Sequence, residues 1–123
     1  MGMIAQAIDQ IVGTLVSEDY LNESRFAQQF ASGKFSSKHW GKMRIKRELK
    51  TRSLSDYDIN NAIKTIEADA YLEKIYTLSD KRWQQLNGYS TQIKKQKLFQ
   101  YLCYRGWETD LIYQQINRLS REN

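Results

Sequence analysis

The sequence repeats itself. Ile8, Val12, Leu15, Tyr20 and Leu21 recur as Ile59, Ile63, Ile66, Tyr71 and Leu72, at a constant offset of 51. Ile45, Leu49, Arg52, Leu54, Ile59 and Ile63 recur as Leu98, Leu102, Arg105, Trp107, Ile112 and Ile116, at a constant offset of 53. Self-similarity at a fixed period marks units that bury their apolar faces against one another. Each period holds three stretches whose apolar residues stand three and four apart, the spacing of one helical face. The chain has no proline and only 6 glycines, so little obliges a helix to break. An all-α fold follows: tandem three-helix repeats, about two and one third of them, with seven helices.

The helices are expected as follows. The first covers residues 4–16, with Ile4, Ile8, Ile11, Val12 and Leu15 on one face. Asn22 is placed as the N-cap of the second, which carries Phe26 and Phe30 and stops near Gly33. A polar lead-in, Ser36-Ser37-Lys38, precedes a third helix over residues 39–52. Ser55 caps the fourth, with Asp58 completing a capping box. The fifth runs through Tyr71, Ile75, Leu78 and Trp83 to Asn87-Gly88. Ser90 or Thr91 caps the sixth, which ends at Gly106, and the seventh covers residues 108–119. The chain of 123 residues has room for one domain, 1–123. Within it, 1–19 reads as the remnant of a first unit, 20–68 as the middle unit and 69–123 as the last.

Several classes of function drop out. No apolar run reaches the length of a membrane span, and the N-terminus has no positively charged start before an apolar stretch. Gln6 stands where N-myristoylation requires Ser or Thr. A single cysteine, Cys103, makes no internal disulfide, which suits a reducing cytoplasm. Beside core Leu102 it reads as a buried or half-buried residue. With one cysteine and one histidine, His39, the chain lacks the ligands of a structural zinc site. There is no glycine-rich phosphate loop and no Ser-His-Asp or Cys-His set. The acids Glu67, Asp69 and Glu73 read as solvent-facing charge. No catalytic residue, metal, cofactor, membrane contact or small-molecule substrate is expected, and the chain reads as a binding protein, not an enzyme.

Its charge is concentrated. Lys and Arg number 19 against 14 acids, a net charge of +5. Lys34, Lys38, Lys42, Arg44, Lys46, Arg47, Lys50 and Arg52 crowd one segment in which Glu48 is the only acid. That segment therefore holds more than the whole net charge. On a helical wheel Gly41, Ile45 and Leu49 form a narrow buried stripe, and the cations cover more than half the circumference. Lys42, Lys46 and Lys50 repel one another at i, i+4, an arrangement that solubility alone does not call for. The face is either a solvated surface or a contact for a polyanion. The matching helix of the last unit carries Lys94, Lys95, Lys97 and Arg105, with Phe99 at the place of Lys46 and Tyr101, Tyr104 and Trp107 nearby. Cations interleaved with aromatics bind single strands through phosphate contact and base stacking, or the aromatics pack on neighbouring helices. Trp40 is either an anchor closing its unit or a partner-facing ring, and His39 flanks or caps the helix.

Three segments carry a resemblance to a known family. Tyr20-Leu21-Asn22-Glu23-Ser24-Arg25-Phe26-Ala27 is similar to the acidic, then Arg-Phe-Ala, segment of RecX regulatory proteins. His39-Trp40-Gly41-Lys42-Met43-Arg44-Ile45-Lys46-Arg47-Glu48-Leu49, followed by Ser55-Asp56 and Ile59, resembles that family's Trp-Gly, basic, Ile, Glu-Leu signature. Lys97-Leu98-Phe99, Leu102, Arg105-Gly106-Trp107 and Ile112 resemble its C-terminal repeat. The resemblance implies a curved, right-packed array of three-helix repeats that lies in the groove of the RecA recombinase filament on single-stranded DNA. There it would damp strand exchange and coprotease activity in DNA repair and the SOS response. The family usually has three full units, whereas this sequence has two and a helix. The expected partner- or DNA-binding face is Lys38, Lys42, Arg44, Lys46, Arg47, Lys50, Arg52, Lys94, Lys95, Lys97 and Arg105. Trp40, Phe99, Tyr101 and Tyr104 are the expected aromatic contacts. Two other readings fit the residues: a helix-turn-helix-like DNA-binding module, and a protein interaction scaffold that involves no nucleic acid.

Overall fold

The computed structural model describes residues 22–122, and the helix expected over residues 4–16 lies outside them. Six helices and no strand occur among the described residues. They are α1 (22–37), α2 (Lys42–Thr51), α3 (Asp56–Lys64), α4 (Ala68–Gln85), α5 (Thr91–Tyr104) and α6 (Thr109–Glu122). They fall into two consecutive sets of three, as the repeat requires. One buried cluster runs through both, from Ala27 and Ala31 of α1 to Ile112, Ile116 and Leu119 of α6.

Local chemistry sets most helix ends. Ser55 accepts a hydrogen bond from the Asp58 N–H (3.1 Å) and starts α3. Ser90 accepts one from the Ile93 N–H (3.3 Å) and starts α5. The capping box at Ser55 is only half made, because both Asp58 carboxylate oxygens are buried with no hydrogen-bond partner among the described residues. The sequence reading errs at three other places. Asn22 is already helical, so it does not stand outside α1 as its cap. Gly33 does not end α1, which continues to residue 37, where Ser37 Oγ donates back to the Gly33 carbonyl (2.6 Å). Finally, α2 begins at Lys42 and not at residue 39, because His39 takes a left-handed φ of 60° and Gly41 is extended.

At the start of α2 the two units meet. A helix leaves its first N–H groups without internal partners, and Gly41 has no side chain to cap them. The second unit supplies the caps. Gly41 N–H donates to the Arg105 carbonyl (2.8 Å), Met43 N–H to the Gly106 carbonyl (2.9 Å), and Lys42 N–H to the Tyr71 hydroxyl (2.8 Å). The acceptors Arg105 and Gly106 end α5 in a Schellman motif: Gly106 N–H bonds to the Cys103 carbonyl and Trp107 N–H to the Leu102 carbonyl. The C-terminus of α5 therefore faces the N-terminus of α2, the pairing that favours both helix dipoles.

Only glycine fits on either side of this junction. A Cβ on Gly41 would fall 2.6 Å from Trp107 Cα, and one on Gly106 would fall 2.7 Å from Arg44 Cα. Gly106 also holds φ at 89°, a region that L side chains rarely occupy. Around the junction Tyr71 packs on Trp107 (ring centroids 4.5 Å apart) and on Phe35 (5.8 Å), and Trp107 Nε1 donates to the His39 carbonyl (3.1 Å). Gly41→Ala should therefore destabilise the protein by about 2 kcal/mol or more, since it forces backbone apart and strips caps from α2. Gly33→Ala, in a helix with nothing within 4 Å of the new Cβ, should stabilise it by about 0.5–1 kcal/mol. Urea unfolding midpoints of the two variants check both signs.

Candidate functional site

The junction aims the basic helix. With its start fixed against the second unit, α2 buries Ile45 and Leu49 completely. Of its other residues Lys46, Arg47 and Lys50 are exposed, as is Lys38 before the helix. Lys38, Lys46, Arg47 and Lys50 make no ion pair among the described residues. Arg52 pairs with Glu48 across one turn (3.4 Å) and lies over the Phe30 ring (4.6 Å). A surface pair of that kind contributes little, so it leaves the positive character of the face almost intact.

Other expected members of the face do structural work. Lys42 is half-buried with its ammonium 4.4 Å from the Tyr71 ring centre. Arg44 lies between Trp40 (4.2 Å) and Tyr104 (4.8 Å), and Nη1 donates to the Tyr104 carbonyl (3.2 Å). Arg105 covers the Tyr101 ring (3.9 Å) from one direction and Arg82 lies at 5.1 Å. Lys95 and Lys97 are half-exposed, and Lys97 sits 4.9 Å from the Tyr89 ring centre. Lys94 does not belong to the exposed face. It is only 8% exposed, sharing the inward stripe of α5 with Leu98 and Leu102, and its ammonium rests 4.3 Å over Trp83. Cys103, one position round from that stripe, is exposed instead of half-buried.

The aromatics divide in the same way. Trp40 is a half-buried anchor, edge-on to Phe30 at 6.1 Å. Tyr101 is half-buried beneath its two guanidinium groups. Tyr104 is 70% exposed, with Arg44 on its ring. Phe99 is half-buried and pairs with Tyr113 of α6 at 5.5 Å.

The structure also adds cations that the sequence reading left off the face. Burial depresses the His39 pKa below 6.5, and the charges of Lys74, Arg105 and Lys81 depress it further. Lys74 and Lys81 stand two turns apart on α4, and with Arg105 they put positive charge on His39 in the loop before α2. Lys34 joins the same region, 5.1 Å from the Trp40 ring centre. Summing charge along α4 hides Lys74 and Lys81, because Asp69, Glu73 and Asp80 offset them. Asp80 is in fact engaged elsewhere, by Arg118 of α6 at 3.0 Å. The seven-residue spacing of the two lysines was the available signal. Tyr71 is a firm neutral hydroxyl at this junction: burial raises its pKa, and its hydrogen bond to the Glu108 carboxylate raises it further.

Among the described residues no three His, Cys, Asp or Glu side chains gather in a way that would hold a metal ion, and no helix is long and apolar enough to cross a membrane. Fold and face together define a helical-repeat protein with a concentrated, largely unpaired cationic surface. Family models place it further: the second three-helix domain of RecX matches residues 22–63, and the third matches residues 69–116. The chain belongs to the RecX family. It is 31% identical to the regulatory protein RecX of Pseudomonas savastanoi over 114 residues, covering 90% of this chain and 70% of that protein. With the Acinetobacter baylyi protein of the same name it shares 32% identity, covering 92% and 68%. Identity to the Clostridioides difficile protein is 28%, over 91% of this chain and 53% of that one. The chain thus spans about half the length of that last relative. Its fold is similar to the crystal structure of RecX from Lactobacillus salivarius, with a TM-score of 0.75 at 23% identity, covering 96% of this chain and 77% of that one.

The His39 environment has a measurable consequence. Its folded pKa lies below the ordinary 6.5, so the unfolded chain takes up the proton first. The stability contributed by neutral His39 is complete above pH 6.5 and is lost as pH falls through the folded value. An NMR titration of the ring should give a midpoint below 6.5. Lys74→Gln should move that midpoint upward, and His39→Asn, which tolerates the left-handed backbone, should flatten the acid-side loss of stability.

Proposed function

We propose that this chain regulates the RecA recombinase by docking on its filament on single-stranded DNA and restraining its recombinase and coprotease activities, in the cytoplasm, during DNA repair and the SOS response. Two things support the reading: membership of a family of regulatory proteins, and the exposed cations Lys46, Arg47 and Lys50 of α2. The latter is the observation that carries it. Three like charges held outward with no ion pair among the described residues have a reason to persist when a polyanion or acidic protein face neutralises them. The chain acts by binding, without a reaction of its own, a cofactor, a small-molecule substrate or a membrane. Single-stranded DNA is met through the filament. Residues 20–68 and 69–123 act as two units in series, with 1–19 part of a unit before them.

Geometry narrows the set of residues to test. Lys42 and Arg44 hold the junction and Lys94 is buried, so the partner-facing set is Lys38, Lys46, Arg47, Lys50 and Arg52, with Lys34, Lys74, Lys81, Lys95, Lys97 and Arg105 around it. Charge reversal at Lys46, Arg47 and Lys50 should leave the circular dichroism and unfolding midpoint near wild type. It should weaken retention on the recombinase filament, assembled with single-stranded DNA and nucleotide, by at least about tenfold at moderate salt. The salt dependence of what binding is left should also be shallower. Lys94→Met should bind as wild type. Normal filament binding by the folded triple variant would sink the reading. Equal binding of wild type to bare duplex, with no gain from the recombinase, would instead make the chain a DNA-binding module of the helix-turn-helix kind.

A further inference from the structure

The repeat gives its two units different chemistry at equivalent positions. Between α5 and α6 lies a groove of about 660 Å³ whose walls are Lys95, Gln96, Phe99, Gln100, Tyr113 and Asn117. At the offset of 53 that relates the units, Phe99 corresponds to Lys46, Gln100 to Arg47, Tyr113 to Asn60 and Asn117 to Lys64. The first unit therefore presents Lys46, Arg47 and Lys64 at these positions of α2 and α3, all exposed. The second unit presents two rings and two amides in the same places. The same scaffold carries three exposed cations at these positions in one copy, and rings and amides in the other.

The Phe99–Tyr113 pair differs from most of the aromatics around the α2 junction, where only the buried Trp107 also has no cation over its ring among the described residues. Trp40, Tyr71, Tyr89, Tyr101 and Tyr104 each have an ammonium or guanidinium over the ring. No cation covers Phe99 or Tyr113 among the described residues. Their centroids are 5.5 Å apart with planes at 37°, and Tyr113 is 55% exposed. The amides of Gln96, Gln100 and Asn117 are exposed and make no side-chain hydrogen bond among the described residues. Ile116, 6% exposed, lies beneath them.

We infer that this groove docks an unpaired base of a single-stranded nucleic acid. The base lies against the Tyr113 and Phe99 rings, the Gln100 and Asn117 amides meet its polar edge, and the Lys95 ammonium meets the adjoining phosphate. A base has a flat face, a hydrogen-bonding edge and a linked negative charge, and the groove offers a counterpart to each. An apolar peptide would leave the amides and the lysine without partners. A base within a duplex has no free face to offer. The inference rests on the reading of the chain as a protein that meets single-stranded DNA.

The test needs no recombinase, which separates its failure from that of the filament reading. Fluorescence anisotropy compares a labelled oligothymidylate with an abasic sugar-phosphate strand of the same length. Wild type should prefer the oligothymidylate by about tenfold, the scale of one stacked base. Tyr113→Ala, at an exposed position, and Phe99→Leu, which keeps an apolar contact, should each erase most of that preference, and Tyr113→Phe should retain it. Lys46→Glu should weaken both strands alike. Equal affinity of wild type for the two strands overturns the inference, as does an undiminished preference in Tyr113→Ala and Phe99→Leu together. Failure of wild type to bind either strand alone overturns it too, whatever the filament measurement gives.

Discussion

The contact of Gly41 with Gly106 sets the rest of this structure. Two backbones approach there more closely than any side chain permits, and the end of one helix caps the start of another across the unit boundary. The hydrogen bonds to Arg105, Gly106 and Tyr71 fix the origin of α2. Once the origin is fixed, burial of Ile45 and Leu49, about 1.5–3 kcal/mol each, fixes its rotation. Lys46, Arg47 and Lys50 are thereby left exposed. The charge of the face follows from a packing constraint at its root.

How a cation is used depends on its distance from that root. Lys42 and Arg44, in the first turn of α2, lie over rings and seal the joint. Lys46, Arg47 and Lys50, further along, project into solvent. Arg44 resembles a wedge more than a surface charge, since Trp40 and Tyr104 hold it on two sides. Guanidinium suits this work because it is planar and weakly hydrated, and it stacks on rings at modest desolvation cost. Within one helix, therefore, the same residue types pack on rings at one end and stand free in solvent at the other.

The sequence was most informative where the signal was local and periodic. The repeat, the all-helical class and the Ser55 and Ser90 caps were all readable, because each depends on residues within a turn or two of one another. The exposed cations Lys46, Arg47 and Lys50 followed from the buried stripe of Ile45 and Leu49. What depends on long-range contact left no such mark. Gly41 and Gly106 are 65 residues apart, and nothing near either glycine announces the other. The left-handed backbone of His39 left no mark, since the modest tendency of histidine toward that region does not single out one position. Lys94 was misplaced for a different reason. A charge count treats every lysine as outward, yet Lys94 lies four and eight residues before Leu98 and Leu102, on their stripe. It also occupies the place that Gly41 holds in the first unit.

Interlocking of this kind also governs how the molecule can move. Sequential repeats usually touch through side chains, and such surfaces slide and roll. Here the α2 amides themselves are bonded to the neighbouring unit, so any bend at the boundary must first uncap a helix. Bending there costs hydrogen bonds as well as packing. The exposed cations of α2 and the Phe99–Tyr113 rings are thereby tied to one backbone joint, so that a shift at the joint alters the distance between them.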